Sequence, residues 1–148
     1  MEFQELVDKD KYQVFLFSSR CPFPLTFASH LWFVVNKKGV LSRWEVVHYK
    51  KPKGEKVWGH LVLNFLPPFS GLGVLFFETK FRYKGKLLGQ IESDGRALLM
   101  IDLIENSKDI YPHTDSYYFI GPNSNTYIKW VLSNFPDFIV KIPWNAFG

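Results

Sequence analysis

Short runs of β-branched and aromatic residues alternate with turn residues through the first half of the chain. Four of these runs predict strands, and they span Tyr12 to Ser18, His30 to Asn36, Arg43 to Tyr49 and Val57 to Phe65. The turn sequence Asn36-Lys37-Lys38-Gly39 predicts that the second and third strands form an antiparallel hairpin. A further run, Val74 to Tyr83, is followed by Lys84-Gly85 and predicts another strand.

Helical periodicity is found in the second half. Apolar residues recur at three- and four-residue spacing from Ser93 to Tyr111, which predicts one amphipathic helix. A second helix is predicted to begin within residues 123–125, all good capping residues, and to end before Pro136. A short aromatic strand, Tyr117 to Ile120, is predicted between the two helices. This order predicts an α+β fold with an antiparallel sheet packed against helices.

Length and composition limit the class of protein. The 148 residues suit one core, so residues 1–148 are predicted to be a single domain. With 47% hydrophobic and 22% charged residues, the chain is unlike disordered or low-complexity proteins. Prolines and glycines interrupt the most apolar stretch, Phe65 to Phe77, so no transmembrane segment is expected. The acidic start of the chain and the single cysteine, Cys21, predict a cytoplasmic location.

The net charge of +4 is concentrated in one segment. Residues 37–56 contain seven basic side chains and two acidic ones, and KKPKGEK within them is typical of a solvated hairpin loop. A nucleic-acid site would normally add base-reading or stacking residues beside such charges, and the loop interpretation is favoured, so no nucleic-acid partner is expected. We expect four lysines to be exposed and outside any pocket formed by residues 121–126, namely Lys50, Lys51, Lys53 and Lys56.

Motifs for common cofactors are missing from the sequence. The four histidines, His30, His48, His60 and His113, lack the close pairing with His, Cys or Asp that zinc sites use. Neither a Walker loop nor GxGxxG or GxSxG is present. We therefore expect neither a metal site nor a cofactor.

Two polar residues interrupt the apolar strands of the predicted hairpin. His30 opens one strand, and Glu45 lies between Trp44 and Val46 on the other, where a carboxylate is unusual unless it is paired. Arg43 is two residues from Glu45 and therefore on the same strand face. Glu45 can thus form an ion pair with Arg43 or orient the ring of His30, and the sequence leaves both readings open.

The sequence Gly-Pro-Asn-Ser-Asn-Thr at 121–126 leads directly into the second predicted helix. Free backbone N–H groups at a helix N-terminus stabilise an anion, including the oxyanion of acyl transfer. The same residues also suit an ordinary N-cap. We expect the side chains of Asn123 and Asn125 to bond nearby backbone, with at most one of them facing a cleft.

Several of these blocks resemble a mainly bacterial family known as domain of unknown function 3750. The resemblance lies in the order and sequence of HLWFVV, RWEVV, IYPH, GPNSNTY and IPWNAFG, between residues 28 and 148. The chain departs from the family pattern mildly, with Tyr127 in place of Phe and Ile142 in place of Leu. The family has no established activity, so the resemblance implies site positions and no reaction.

The order of His30, Glu45 and Asn123-Ser124 is also similar to circularly permuted papain-like proteins, including the lecithin retinol acyltransferase-like group. In that group an early strand begins with His, a neighbouring strand gives a polar partner, and a later Asn-Cys opens a helix. The resemblance implies a papain-like arrangement in which Ser124 stands where the group has its cysteine nucleophile. Cys21 is a weaker candidate for the nucleophile, because Pro22 and Pro24 place it in an extended segment away from a helix start.

Two functional hypotheses follow. The first is a serine-variant papain-like hydrolase or acyltransferase acting on an amide or ester, with His30 as base, Glu45 as its orienting group and Ser124 as nucleophile. The second is a non-catalytic module that binds a peptide, glycan or acidic ligand in the cleft at residues 121–126. The candidate ligand-binding residues are Asn123, Asn125, Trp32, Arg43 and Tyr111.

Overall fold

The computed structural model describes residues 2–48, 54–75 and 80–148. After a 3₁₀ helix at Phe3–Leu6, the elements in chain order are β1 (Tyr12–Arg20), β2 (Ser29–Lys37), β3 (Val40–Val46), β4 (Lys56–Trp58), β5 (Leu61–Leu63), β6 (Ser70–Gly73), β7 (Arg82–Lys84), β8 (Lys86–Ile91), α1 (Asp94–Ile110) and α2 (Ser124–Leu132). The predicted α+β class is confirmed, with an antiparallel sheet packed against two helices.

The main sheet has six strands in the order β4-β5-β3-β2-β1-β8, and all neighbours are antiparallel. A second sheet pairs β6 with β7. The predicted hairpin between β2 and β3 is confirmed, and it turns through Lys38 and Gly39, which both have positive φ. Such a two-residue turn matches the twist of the strands, and the Asn36 side chain accepts a hydrogen bond from the Gly39 N–H at 2.7 Å.

The strands β1 and β2 form the centre of the molecule and are buried on both faces. Residues on one face, such as Leu16, Leu31 and Phe33, pack with α1 and α2 in the larger apolar core. The opposite face carries a smaller aromatic cluster around Phe17 and Trp32. Burial on both faces explains why these strands are continuous apolar runs. It also means that a polar side chain on either strand needs an internal partner.

Three strand predictions differ from the structure. The run Val57 to Phe65 is split by a turn at Gly59, where φ is +61°, and therefore forms the hairpin of β4 and β5. In Tyr117 to Ile120, the Gly121 N–H bonds Tyr118 O, so the backbone forms a turn where we expected a strand. The run Val74 to Tyr83 contains residues 76–79, which lie outside the described residues, and only Arg82 onwards belongs to a strand, β7.

The strand β8 was not predicted, because KLLGQI is short and Gly89 interrupts it. It pairs with β1 through a register shift next to Leu16, where an irregular ladder accommodates the glycine. Across the described ranges, no helix is long and apolar enough to cross a bilayer. The helix α2 packs against β2 and β3, which brings its first residues to the end of the sheet where β2 begins.

Candidate functional site

His30, Glu45 and Arg43 form one buried network on the face of the sheet opposite the helices. The Nε2 atom of His30 lies 2.6 Å from Glu45 Oε2. Arg43 donates to the same carboxylate with both Nε, at 2.5 Å, and an η nitrogen, at 3.0 Å. The sequence left two interpretations of Glu45 open, and the structure contains both contacts. The carboxylate pairs with Arg43 and also contacts the ring of His30.

Arg43 is fully buried and has further partners that fix its position. Its other η nitrogen donates to the carbonyl oxygens of Pro67 and Ser70, at 2.8 and 2.5 Å. The guanidinium also lies over the ring of Trp32, with 4.2 Å between its carbon and the ring centroid. The Trp32 indole donates to Pro68 O at 2.8 Å. Arg43 and Trp32 thus join the sheet to the loop that precedes β6.

The network keeps Glu45 ionised. Burial alone would raise the pKa of this carboxyl group, but the charge of Arg43 and the hydrogen bonds from His30 and Arg43 outweigh it and lower the pKa to about 2. An ionised carboxylate only accepts hydrogen bonds, which assigns the His30 proton to Nε2. In the neutral ring, Nδ1 then carries a lone pair, and this atom has no hydrogen-bond partner among the described residues.

The start of α2 is fixed by a capping box at Asn123. Its Oδ1 accepts from the N–H groups of Asn125 and Thr126, at 2.9 and 3.2 Å, and the Thr126 hydroxyl accepts from the Asn123 N–H at 3.0 Å. The Asn123 amide also donates to Phe119 O at 2.8 Å. Gly121 precedes the cap with φ of +112°, a conformation that favours glycine.

We predict that Asn123→Ala lowers the free energy of unfolding by about 1–3 kcal/mol, because the cap and the Phe119 carbonyl lose a buried partner. Denaturation in urea, followed by circular dichroism, measures this change. The matched control is Asn134→Ala, which removes an exposed bond to the Trp130 carbonyl and should change the free energy by less than about 0.5 kcal/mol. Equal effects of the two substitutions would contradict the structural role of Asn123.

Asn125 attaches α2 to two other segments. Its Oδ1 accepts from the Leu31 N–H at 3.1 Å, and its amide nitrogen donates to Ser29 O and Phe147 O at 2.8 and 3.1 Å. The side chains of Asn123 and Asn125 both bond backbone, as we expected, but both residues line the same cavity, where we expected at most one of them to face a cleft. Because the Ser29 hydroxyl also bonds Asn145 Oδ1 at 2.9 Å, the segment at 145–148 is held against β2 and α2.

Ser124 is the first residue of α2 and is 4% exposed. Its hydroxyl lies 3.5 Å from Asn125 Oδ1, and no hydrogen bond joins it to His30 within the described part of the chain. The N–H groups of Asn123 and Asn125 are used by the cap. The Ser124 N–H has no acceptor among the described residues, so it is the one amide of these three that is available to an anion.

His30 and Ser124 line the same cavity, although they do not bond each other directly. The cavity has a volume of about 270 Å³ and lies at the end of the main sheet. Its described lining is mainly apolar or uncharged and consists of Cys21, Pro22, Leu25, Ala28, Ser29, His30, Val47, His48, Leu72, Tyr117, Phe119, Asn123, Ser124, Asn125 and Phe147. Residues from five separate segments therefore meet around the imidazole and the hydroxyl.

Three of the sequence-derived candidates lie outside this lining. Trp32 and Arg43 are fully buried behind His30, where they contact protein groups. Tyr111 is in the core between Tyr127 and Trp130, with ring centroids 5.1 Å from each. Burial raises the pKa of Tyr111 to about 12, so its hydroxyl stays protonated at neutral pH. Trp32 and Arg43 therefore support His30 and Glu45 from behind, whereas Tyr111 belongs to the larger core.

Cys21 is part of the lining, which the sequence did not indicate. Burial raises the pKa of its thiol to about 11, so the thiolate needed for nucleophilic attack is scarce at neutral pH. Lys56 is exposed in β4 and is not part of the cavity, whereas Lys50, Lys51 and Lys53 lie outside the described residues. Among residues 2–48, 54–75 and 80–148, no three His, Cys, Asp or Glu side chains are grouped closely enough to hold a metal ion.

Comparison with protein families gives one match. The model of a protein family of unknown function, DUF3750, matches residues 11–148, and the chain therefore belongs to that family. Neither the curated proteins nor the solved structures include a significant match. Function must therefore be argued from the cavity and its residues.

Proposed function

We propose that this member of a family of unknown function catalyses acyl transfer, as a hydrolase or acyltransferase, at an amide or ester bond. The observation that carries the proposal is the cavity that Ser124 shares with His30, whose far nitrogen is held by the ionised Glu45. The three residues have the roles of a catalytic triad, because Ser124 is the nucleophile, His30 is the base and Glu45 is the carboxylate that orients the base. The order of these residues along the strands and helix is papain-like, with serine in place of cysteine.

His30 is suited to act as the general base. The bond from Nε2 to Glu45 sets the tautomer and ring orientation, which leaves the Nδ1 lone pair to accept a proton. Glu45 remains a carboxylate at neutral pH because its pKa is about 2, so it stabilises the imidazolium formed during the reaction. Arg43 contacts neither the cavity nor a substrate and is a positioning residue for Glu45.

Ser124 supplies both a nucleophile and an oxyanion donor. Its N–H is unpaired at the N-terminus of α2, where the helix dipole favours negative charge. The Ser124 hydroxyl faces Asn125 Oδ1, and a rotation about the Cα–Cβ bond redirects it. Catalytic hydrogen bonds are often long or misaligned before substrate binds, so the missing contact with His30 is compatible with this role.

In the first step, Ser124 Oγ forms a bond to the substrate carbonyl carbon while its proton passes to His30 Nδ1. The carbonyl electron pair moves to oxygen, which accepts a hydrogen bond from the Ser124 N–H. The C–N or C–O bond then breaks, and the imidazolium returns the proton to the leaving amine or alcohol. Water, or a second alcohol or amine, attacks the acyl-serine by the same proton transfers and releases the free hydroxyl.

Labelling with a fluorophosphonate probe tests the proposal, because this reagent reacts with serine nucleophiles that a nearby base activates. We expect the wild-type protein to be labelled and Ser124→Ala to be unlabelled. The matched control is Ser133→Ala, which removes a hydroxyl at the other end of α2 that bonds the Trp130 carbonyl. Loss of label in Ser133→Ala, or labelling of Ser124→Ala, would contradict the assignment.

One observation favours the alternative, a non-catalytic binding module. The Ser124 hydroxyl bonds Oδ1 of Asn125, the side chain that attaches α2 to β2, and no base contacts the hydroxyl among the described residues. In that case the free Ser124 N–H and the unpaired His30 nitrogen would bind the polar end of a ligand. A wild-type protein that binds ligands in the cavity but is not labelled by the fluorophosphonate would support this alternative.

A further inference from the structure

The cavity also restricts the substrate, and this inference rests on the proposed function because it concerns the same site. We infer that the acyl group transferred is uncharged, apolar and short, with at most about nine non-hydrogen atoms. The limit on size comes from the volume of the cavity, and the limit on chemistry comes from its lining.

The volume sets the length of the acyl group. A cavity of about 270 Å³ corresponds to about nine water volumes of roughly 30 Å³ each. A methylene group is similar in size to a water molecule, so a straight acyl chain of about eight carbons fills this space. A phenylpropanoyl group has nine carbons and fills it as well. A sixteen-carbon chain extends well beyond it.

The lining sets the chemistry of the acyl group. Away from Ser124 and His30, the walls are formed largely by apolar side chains, namely Pro22, Leu25, Ala28, Val47, Leu72, Phe119 and Phe147. The described lining contains no Asp, Glu, Lys or Arg side chain. Glu45 and Arg43 are nearby, but they neutralise each other behind the ring of His30. A charged acyl group would therefore lose its hydration without an Asp, Glu, Lys or Arg partner among the described residues of the lining.

The apolar wall continues from the cavity to the surface. Phe119 and Phe147 line the cavity, and their ring centroids lie 5.7 Å apart. Both contact Phe27, which is 56% exposed, and Phe147 also contacts Trp144, which is 87% exposed. An apolar acyl group therefore meets compatible aromatic side chains before it reaches Ser124.

A series of p-nitrophenyl esters tests this inference by kcat/KM. The butanoyl and succinyl esters have four acyl carbons each and differ by one carboxylate, and we expect the succinyl ester to react at least tenfold more slowly. The kcat/KM should rise from the acetyl ester to the octanoyl ester and should be at least tenfold lower for the palmitoyl ester than for the octanoyl ester. We expect the kcat/KM of the 3-phenylpropanoyl ester to be close to that of the octanoyl ester, because the two acyl groups are of similar size, and a value at least tenfold lower would contradict the size limit. Equal rates for butanoyl and succinyl, or for octanoyl and palmitoyl, would overturn the inference.

A binding measurement separates this inference from the proposed function. Calorimetry with octanamide and the Ser124→Ala variant measures binding to the cavity without any reaction. We expect octanamide to bind this variant. Adding Leu25→Asp to Ser124→Ala should lower the affinity for octanamide at least tenfold. Leu25 is a half-buried loop residue, which makes the substitution compatible with folding. The control is Leu99→Asp, at a position that is 56% exposed on α1. Binding that Leu25→Asp leaves unchanged would overturn the inference, whereas octanamide binding without any fluorophosphonate labelling would overturn only the proposed reaction.

Discussion

The variant Arg43→Met is expected to unfold with a free energy about 3–5 kcal/mol lower than that of the wild type. The substitution keeps an unbranched apolar side chain but removes the guanidinium, which leaves the fully buried Glu45 without its cationic partner. The carbonyl oxygens of Pro67 and Ser70 also lose their donor. Denaturation in urea at pH 7, where Glu45 is ionised, measures the loss.

The control for Arg43→Met is Arg96→Met. Arg96 pairs with Asp137 on the surface, and the two side chains are 42% and 60% exposed. Water and salt screen such a pair, so the same substitution should cost less than about 1 kcal/mol. A similar decrease in the free energy of unfolding in the two variants would show that Arg43 does not stabilise the buried ionic network as we propose.

The variant His30→Gln is expected to hydrolyse an activated ester such as p-nitrophenyl butanoate at least 10³-fold more slowly than the wild type, with a similar KM. Glutamine retains an N–H donor for Glu45 but has no nitrogen lone pair that can accept the serine proton. Initial rates at pH 7.5, with circular dichroism to verify folding, measure the effect.

The control for this prediction is His113→Gln. His113 is exposed and does not line the cavity, so its substitution should leave the rate within about twofold of the wild type. A folded His30→Gln variant with the wild-type rate would rule out His30 as the base, and the proton would then have to pass to another group.

The sequence could predict those parts of the site that depend on neighbouring residues. The turn sequence at residues 36–39 predicted the hairpin, because the turn sets the register of the two strands. The two-residue period of a strand then places Arg43 and Glu45 on one face. Local residue preferences also placed the start of α2 within residues 123–125, but they did not show which of the three is the cap. The sequence left open whether Glu45 pairs with Arg43 or orients the ring of His30, because spacing alone cannot show that one carboxylate has both partners.

The sequence predicted a cleft at residues 121–126, but most of the lining of the cavity could not be predicted, because it comes from segments distant in the chain. Leu25 lies in a loop with no motif. Phe147 belongs to the block IPWNAFG, but its position in the fold depends on contacts such as that between Asn125 and Phe147 O. The sequence predicted Tyr111 as a ligand-binding residue because aromatic side chains suit binding sites, but its ring lies in the core beside Tyr127. Local patterns cannot distinguish an aromatic residue of a cleft from one of the core.

The most direct test of the central claim is to locate the acyl group during turnover. Wild-type protein is mixed with p-nitrophenyl butanoate, quenched in acid within milliseconds, digested and examined by mass spectrometry. We predict a butanoyl group on the peptide that contains Ser124, and none on any peptide of Ser124→Ala. A butanoyl group on Cys21 in both proteins, or hydrolysis of the ester by Ser124→Ala at the wild-type rate, would contradict the claim that Ser124 is the nucleophile.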